Sequence, residues 1–138
     1  MTYLVDTNVI AELRKGARAN ANVRAWFAEI DPDAIVLSVV TIGEIRRGVE
    51  SIRRRDVASA RALDRWLSGL LRDHADRVLD INLEVAQEWG RLNVPNPLPV
   101  VDGLLAATAR VHGLVVATRN VKDVARGGVD VVNPFAAR

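Results

Sequence analysis

Four short apolar runs constrain this chain more than anything else in it: Tyr3-Leu4-Val5, Ile35-Val36-Leu37, Val78-Leu79 with Ile81, and Leu114-Val115-Val116-Ala117. Each reads as a strand, and the stretches between them carry apolar residues at helical spacing. Runs that are apolar throughout, rather than alternating, belong to strands covered on both faces. The sequence therefore predicts an α/β domain in three layers, with a mostly parallel sheet of four to five strands between helices, spanning residues 1–138 as one unit. Val129, Val131 and Val132 supply the weak fifth strand at the edge.

The connecting segments divide cleanly. One helix runs through Val9, Ile10 and Leu13 and stops before Gly16; a second covers 22–29 and is closed by Pro32. A third runs from Ile42 to about Ile52, with Ile42, Ile45, Val49 and Ile52 on one face. Arg53-Arg54-Arg55 marks a turn into the longest helix, about 57–73, whose face of Ala60, Leu63, Leu67 and Leu70 suits a core, a dimer seam or a partner's groove. Val85, Ala86 and Trp89 share a helix after the third strand. Three prolines within 94–101 make that stretch a loop, and an apolar helix of about 102–112 ends at Gly113. Trp26, Trp66 and Trp89 fall on apolar helix faces and are expected in the core.

Composition excludes several classes. The chain has no cysteine, which removes disulfides, thiolate metal sites and cysteine nucleophiles. No apolar run approaches the ~20 residues of a membrane span, and Met1-Thr2-Tyr3-Leu4-Val5-Asp6 lacks the basic start of a secretion signal. The expectation is a cytoplasmic protein. The basic residues are 17 arginines against only Lys15 and Lys122, although the net charge is just +2. Arginine's planar fork suits phosphate, but an arginine-favouring codon usage would produce the same bias.

Ligands of open parallel sheets bind beyond the carboxyl ends of the strands. There the chain places Asp6 at the end of the first strand, Glu44 early in the helix after the second, Asp102 at the start of the helix leading to the fourth, and Asp123 shortly after the fourth. Each also has an ordinary reading: Asp6 and Asp102 as helix N-caps, Thr41-x-x-Glu44 as a capping box, Asn120-x-x-Asp123 as a cap with an acid favoured by the helix dipole. Four acids on one rim would repel one another, and such a cluster calls for a cation. All-oxygen donors point to Mg2+ or Mn2+ rather than zinc. His74 and His112 lie apart from the rim and read as structural or solvent-facing.

Asp6-Thr7-Asn8, Ser38-Val39-Val40-Thr41-Ile42-Gly43-Glu44, Pro99-x-x-Asp102-Gly103-Leu104-Leu105-Ala106-Ala107-Thr108-Ala109 and Thr118-Arg119-Asn120-Val121-Lys122-Asp123 stand in an order and at spacings that resemble a PIN domain. The likeness runs from Thr2 to Pro134 and is strongest to the VapC-type toxins of VapBC toxin–antitoxin pairs, including the FitB-like branch. It implies a Mg2+-dependent endoribonuclease, with Mn2+ as a substitute, acting as a toxin on RNA. It implies a VapB-type antitoxin and assembly as a homodimer or toxin–antitoxin hetero-oligomer. Asp6, Glu44 and Asp102 would form the acidic triad, with Asp6 and Asp102 binding the metal directly and Glu44 orienting water or a second ion. Asp123, or Asn120 in its place, would complete the set; Val124 stands where the family often has an aromatic residue. Thr7, Asn8, Thr118 and Asn120 would hold the carboxylates in position. Arg14, Lys15, Arg46, Arg47 and Arg119, near the rim in sequence, are candidates for the RNA backbone or for an ordinary solvated face.

Two other readings compete. A non-catalytic binding module would gain nothing from concentrated negative charge facing phosphate. A dehalogenase-like phosphatase would need a second aspartate where Asn8 stands. Dinucleotide binding fails for lack of Gly-x-Gly-x-x-Gly after a strand.

Overall fold

The computed structural model describes residues 1–137. Five strands, β1 (Tyr3–Val5), β2 (Ile35–Ser38), β3 (Val78–Leu79), β4 (Val115–Ala117) and β5 (Val131–Val132), form one sheet in the order β3-β2-β1-β4-β5. Every neighbouring pair is parallel, with Tyr3 opposite both Ile35 and Val115. Central β1 and β2 are almost wholly buried, which is why their sequences do not alternate. The edge strands β3 and β5 are two residues long and half-buried, and Ile81 lies beyond β3.

Helices α1 (Thr7–Leu13), α2 (Ala21–Glu29), α3 (Val39–Arg53) and α4 (Val57–Asp73) cover one face. There Val5, Val9, Ile10, Val23, Trp26, Leu37, Ile45 and Leu67 form a core cluster. Helices α5 (Leu83–Leu92), α6 (Val100–His112) and α7 (Val121–Ala125) cover the other, around Leu4, Val36, Leu105, Ala106, Val116 and Val124. Of the three tryptophans expected in the core, Trp26 is buried and meets the Tyr3 ring edge-on at 5.3 Å, Trp66 is half-buried against the first cluster, and Trp89 is half-buried against Gly103, outside both clusters. A Cβ at Gly103 would stand 3.2 Å from the Trp89 Nε1, so glycine lets α5 approach α6 beside the rim. No helix among the described residues is long and apolar enough to cross a membrane.

Two helix starts differ from the sequence reading. Ser38, not Thr41, caps α3, its Oγ accepting from the Val40 N–H at 3.0 Å. Thr41 is buried inside the first turn, so the capping box with Glu44 does not form, and the Glu44 side chain is released to the rim. Likewise α6 begins at Val100 with Pro99 in the cap position. Proline has a fixed φ and no N–H to lose, and suits a helix start. Asp102 is therefore the third helical residue and caps nothing. Along α4 only Ala60 and Leu67 are fully buried; Leu63 and Leu70 are partly exposed.

Candidate active site

The β1 end turns straight into α1, and Asp6 occupies that junction. It does cap α1, with Oδ1 accepting from the Thr7 N–H at 2.7 Å. Its other oxygen does something a cap does not require: Oδ2 accepts from the Thr118 hydroxyl at 2.7 Å and from Asn8 Nδ2 at 3.3 Å. Thr118 is fully buried just past β4, and its Oγ1 also accepts the Asn120 N–H at 2.9 Å. Asn8 in turn accepts the Arg119 N–H at 3.1 Å. The loops after β1 and β4 are thus laced together through Asp6.

Glu44 lies one turn into α3, where the Thr7 hydroxyl donates to its Oε1. Asp102, only 8% exposed, accepts from Asn120 Nδ2 at 2.8 Å, and its Oδ1 has no partner among the described residues. These side chains line a cleft of about 350 Å³ with Ala11 and Val101 as apolar walls. Within it stand Asp6, Thr7, Asn8, Glu44, Asp102 and Asn120.

Asp123 does not line this cleft. It lies on α7 with Arg126 3.7 Å away, although its charge still reaches Asp102. Asn120, the alternative at this corner, makes the direct contact. It sits in the α7 cap position but its side chain makes no cap bond and turns to Asp102 instead. The sequence reading left open whether Asp123 or Asn120 completes the set, and Asn120 is the one in contact with Asp102. The signal for it was there: a side-chain amide three residues before the acid, immediately after the β4 turn.

The electrostatics follow from the geometry. No basic side chain bridges Asp6, Glu44 or Asp102 among the described residues. Burial first, then the charges of Asp6, Asp123 and Glu44, push the Asp102 carboxyl up from its usual 3.8 to about 6. Such a donor set fits a hard divalent cation: carboxylate oxygens, unneutralised, held by hydrogen bonds that fix their direction. No three acids or imidazoles among the described residues form a preassembled cage. That is compatible with Mg2+, which takes one or two carboxylates and completes its shell from water and phosphate.

The five proposed RNA contacts scatter. Lys15 pairs with Glu12 at 3.1 Å. Arg46 is engaged by Glu50 and Asp64, and Arg119 lies over the Phe135 ring at 3.7 Å. Arg14 and Arg47 are exposed and carry no carboxylate partner among the described residues. His74 contacts the Leu70 carbonyl and His112 is exposed, both away from the cleft.

Known proteins are similar to this chain over nearly its whole length. The chain is 32% identical to the VapC ribonuclease Y4jK of Sinorhizobium fredii, over 96% of each chain. It is 30% identical to the toxin FitB of Neisseria gonorrhoeae, over 96% of this chain and 97% of that one. The crystal structure of FitAcB from the same organism superposes with a TM-score of 0.90 at 30% identity, covering 99% of this chain and all of that one. The PIN domain family model matches residues 3–126, a span that takes in β1 to β4 and every acid of the rim. The chain belongs to the PIN domain family.

Proposed function

We propose that this chain is a metal-dependent endoribonuclease and the toxin of a toxin–antitoxin pair. The observation that carries the reading is the cleft itself: Asp6, Glu44 and Asp102 share one rim with no neutralising base among the described residues, each oriented by a hydroxyl or amide. Relatives named VapC ribonuclease and toxin FitB support it. So do structural neighbours solved as FitAB and VapBC complexes.

Asp6 and Asp102 would hold Mg2+, or Mn2+ in its place, on Asp102 Oδ1 and the remaining acceptor capacity of Asp6. When bound, the ion supplies charge for the scissile phosphate and lowers the pKa of water. The chain's own groups do the positioning. Thr118 and Asn8 fix the rotamer of Asp6; Asn120 fixes Asp102 and leaves its other oxygen free. Glu44, steadied by Thr7, faces the same space with Oε2 unengaged among the described residues and orients the attacking water. Asp123 acts at a distance, adding negative potential rather than a ligand. The partner is a VapB-type antitoxin, the substrate RNA, the compartment the cytoplasm, and the assembly a homodimer or a toxin–antitoxin hetero-oligomer.

Induced expression tests this directly. The chain alone should arrest growth and leave new RNA 5′ ends, and co-expression with the small gene beside its own should abolish both. Harmless expression without new ends, from folded protein at high level, would overturn the toxin reading.

A further inference from the structure

The positive charge of this protein is not where the acidic cleft is. Residues 39–73, the α3–α4 hairpin, carry eight arginines against five carboxylates, whereas the whole chain is +2, so the remainder is −1. Elsewhere Arg77, Arg91, Arg110 and Arg126 each pair with a carboxylate, and Arg119 lies over the Phe135 ring. On the hairpin, Arg46 and Arg53 are bound to Glu50 and Asp64. Arg61, Arg65 and Arg72 on α4 are exposed and make no ion pair among the described residues.

Their spacing matters. At 100° per residue, positions 61, 65, 68 and 72 fall within an arc of about 60°, and at 1.5 Å per residue they span about 16 Å. With Ser68 between them they line one shallow depression of about 520 Å³ on the outer surface of α4. Asp64 borders it but is already neutralised by Arg46 and Arg53. Arg61 and Arg65 stand one turn apart, a like-charge pairing that disfavours the helix.

We infer that the Arg61–Arg65–Arg72 stripe is a docking track for the phosphodiester backbone of the RNA substrate, built into the helix that packs on α3 and so rigidly joined to Glu44. The inference rests on the nuclease reading. Charge complementarity names the occupant: aligned guanidinium forks match phosphate oxygens, and ~16 Å is the length of on the order of four phosphates along one strand. No aromatic or large apolar side chain interrupts the stripe. It therefore lacks the anchors on which protein interfaces depend and the platforms on which bases stack. Binding there is blind to sequence and sensitive to salt. A cleft lined with carboxylates repels RNA at long range, and a separate cationic surface offsets that repulsion.

The test uses the full chain in EDTA and a labelled single-stranded RNA of mixed sequence, followed by fluorescence anisotropy across a KCl series. In Arg61→Gln/Arg65→Gln/Arg72→Gln, affinity should fall 10- to 100-fold. The slope of log Kd against log salt should drop by about 2, from three contacts at ~0.7 each. With Mg2+ restored, KM should rise while kcat at saturating RNA holds. Arg18→Gln/Arg91→Gln/Arg110→Gln removes the same charge elsewhere and should change affinity less than about threefold. Equal losses in the two triple variants would reduce the effect to net charge and overturn the track. So would a stripe variant that binds as the wild type does, while the wild type still binds and cuts. Wild-type protein that neither binds nor cuts RNA would remove the nuclease reading and the track together. Loss of antitoxin capture with RNA binding intact would make the stripe a protein dock instead.

Discussion

Asp102→Asn should make the metal-free protein more stable, although it destroys the site. The carboxyl is 8% exposed and its pKa is raised from 3.8 to about 6 by burial and by Asp6, Asp123 and Glu44. An acid whose pKa is raised on folding is held more tightly protonated in the native state. Its ionisation therefore costs nothing below about pH 4, costs progressively more as pH rises to about 6, and costs the full amount above that. The gap corresponds to about 3 kcal/mol; water at the cleft mouth reduces it to about 2 kcal/mol. Asparagine keeps the shape and can still accept the Asn120 amide through its own oxygen, so the hydrogen bond survives. For a domain of this size, about 2 kcal/mol is a Tm increase of roughly 6 to 10 °C. Melting curves in EDTA from about pH 4.5 to 8 check it: the variant should gain most at the alkaline end and converge with the wild type near the acid end. Mg2+ should raise the wild-type Tm and leave the variant unmoved. A variant less stable than the wild type at neutral pH, or a gain independent of pH, would refute the account of strained charge at the rim.

Other expectations follow from particular contacts. Thr118→Val removes the donor to Asp6 Oδ2 while keeping the buried volume, and RNA cleavage should drop about 10- to 100-fold in single-turnover assays with the fold retained by circular dichroism. At Mg2+ concentrations well below saturation the rate should decline as pH falls through about 6, because proton and ion compete for Asp102, and a profile flat down to about 5 at that concentration would contradict it. Leu67→Ala, at a fully buried position of α4, should cost about 2–5 kcal/mol in urea denaturation and loosen the α3–α4 hairpin.

The legibility of this chain was uneven for physical reasons. The central strands announce themselves because burial on both faces leaves no polar positions in Tyr3–Val5 or Ile35–Leu37. Asp6 and Glu44 could be placed because a strand end and the early turns of the helix that follows fix direction within a residue or two. The start of α3 could not, since Ser38 and Thr41 are both competent caps and only the buried environment of Thr41 decides between them. The Asn120–Asp102 contact joins residues 18 apart across two elements, and local pattern carries no information on it. Ion pairing is equally invisible: nothing in the sequence says that Arg46 is engaged by Asp64 across the hairpin while Arg61 and Arg65 are not. The stripe spacing itself could be read from the sequence, but only the engaged arginines around it give it meaning.

The central claim is that the carboxylate cleft cuts RNA with a divalent ion. Single-turnover cleavage of one RNA by purified protein, in EDTA and then with Mg2+ added back, tests it most directly when wild type and Asp102→Asn are run side by side. The account predicts no cleavage by either in EDTA, restoration by Mg2+ for the wild type, and a loss of at least about 1,000-fold in the variant at every Mg2+ concentration. Undiminished cleavage in EDTA, or Mg2+-dependent cleavage by Asp102→Asn at the wild-type rate, would contradict it.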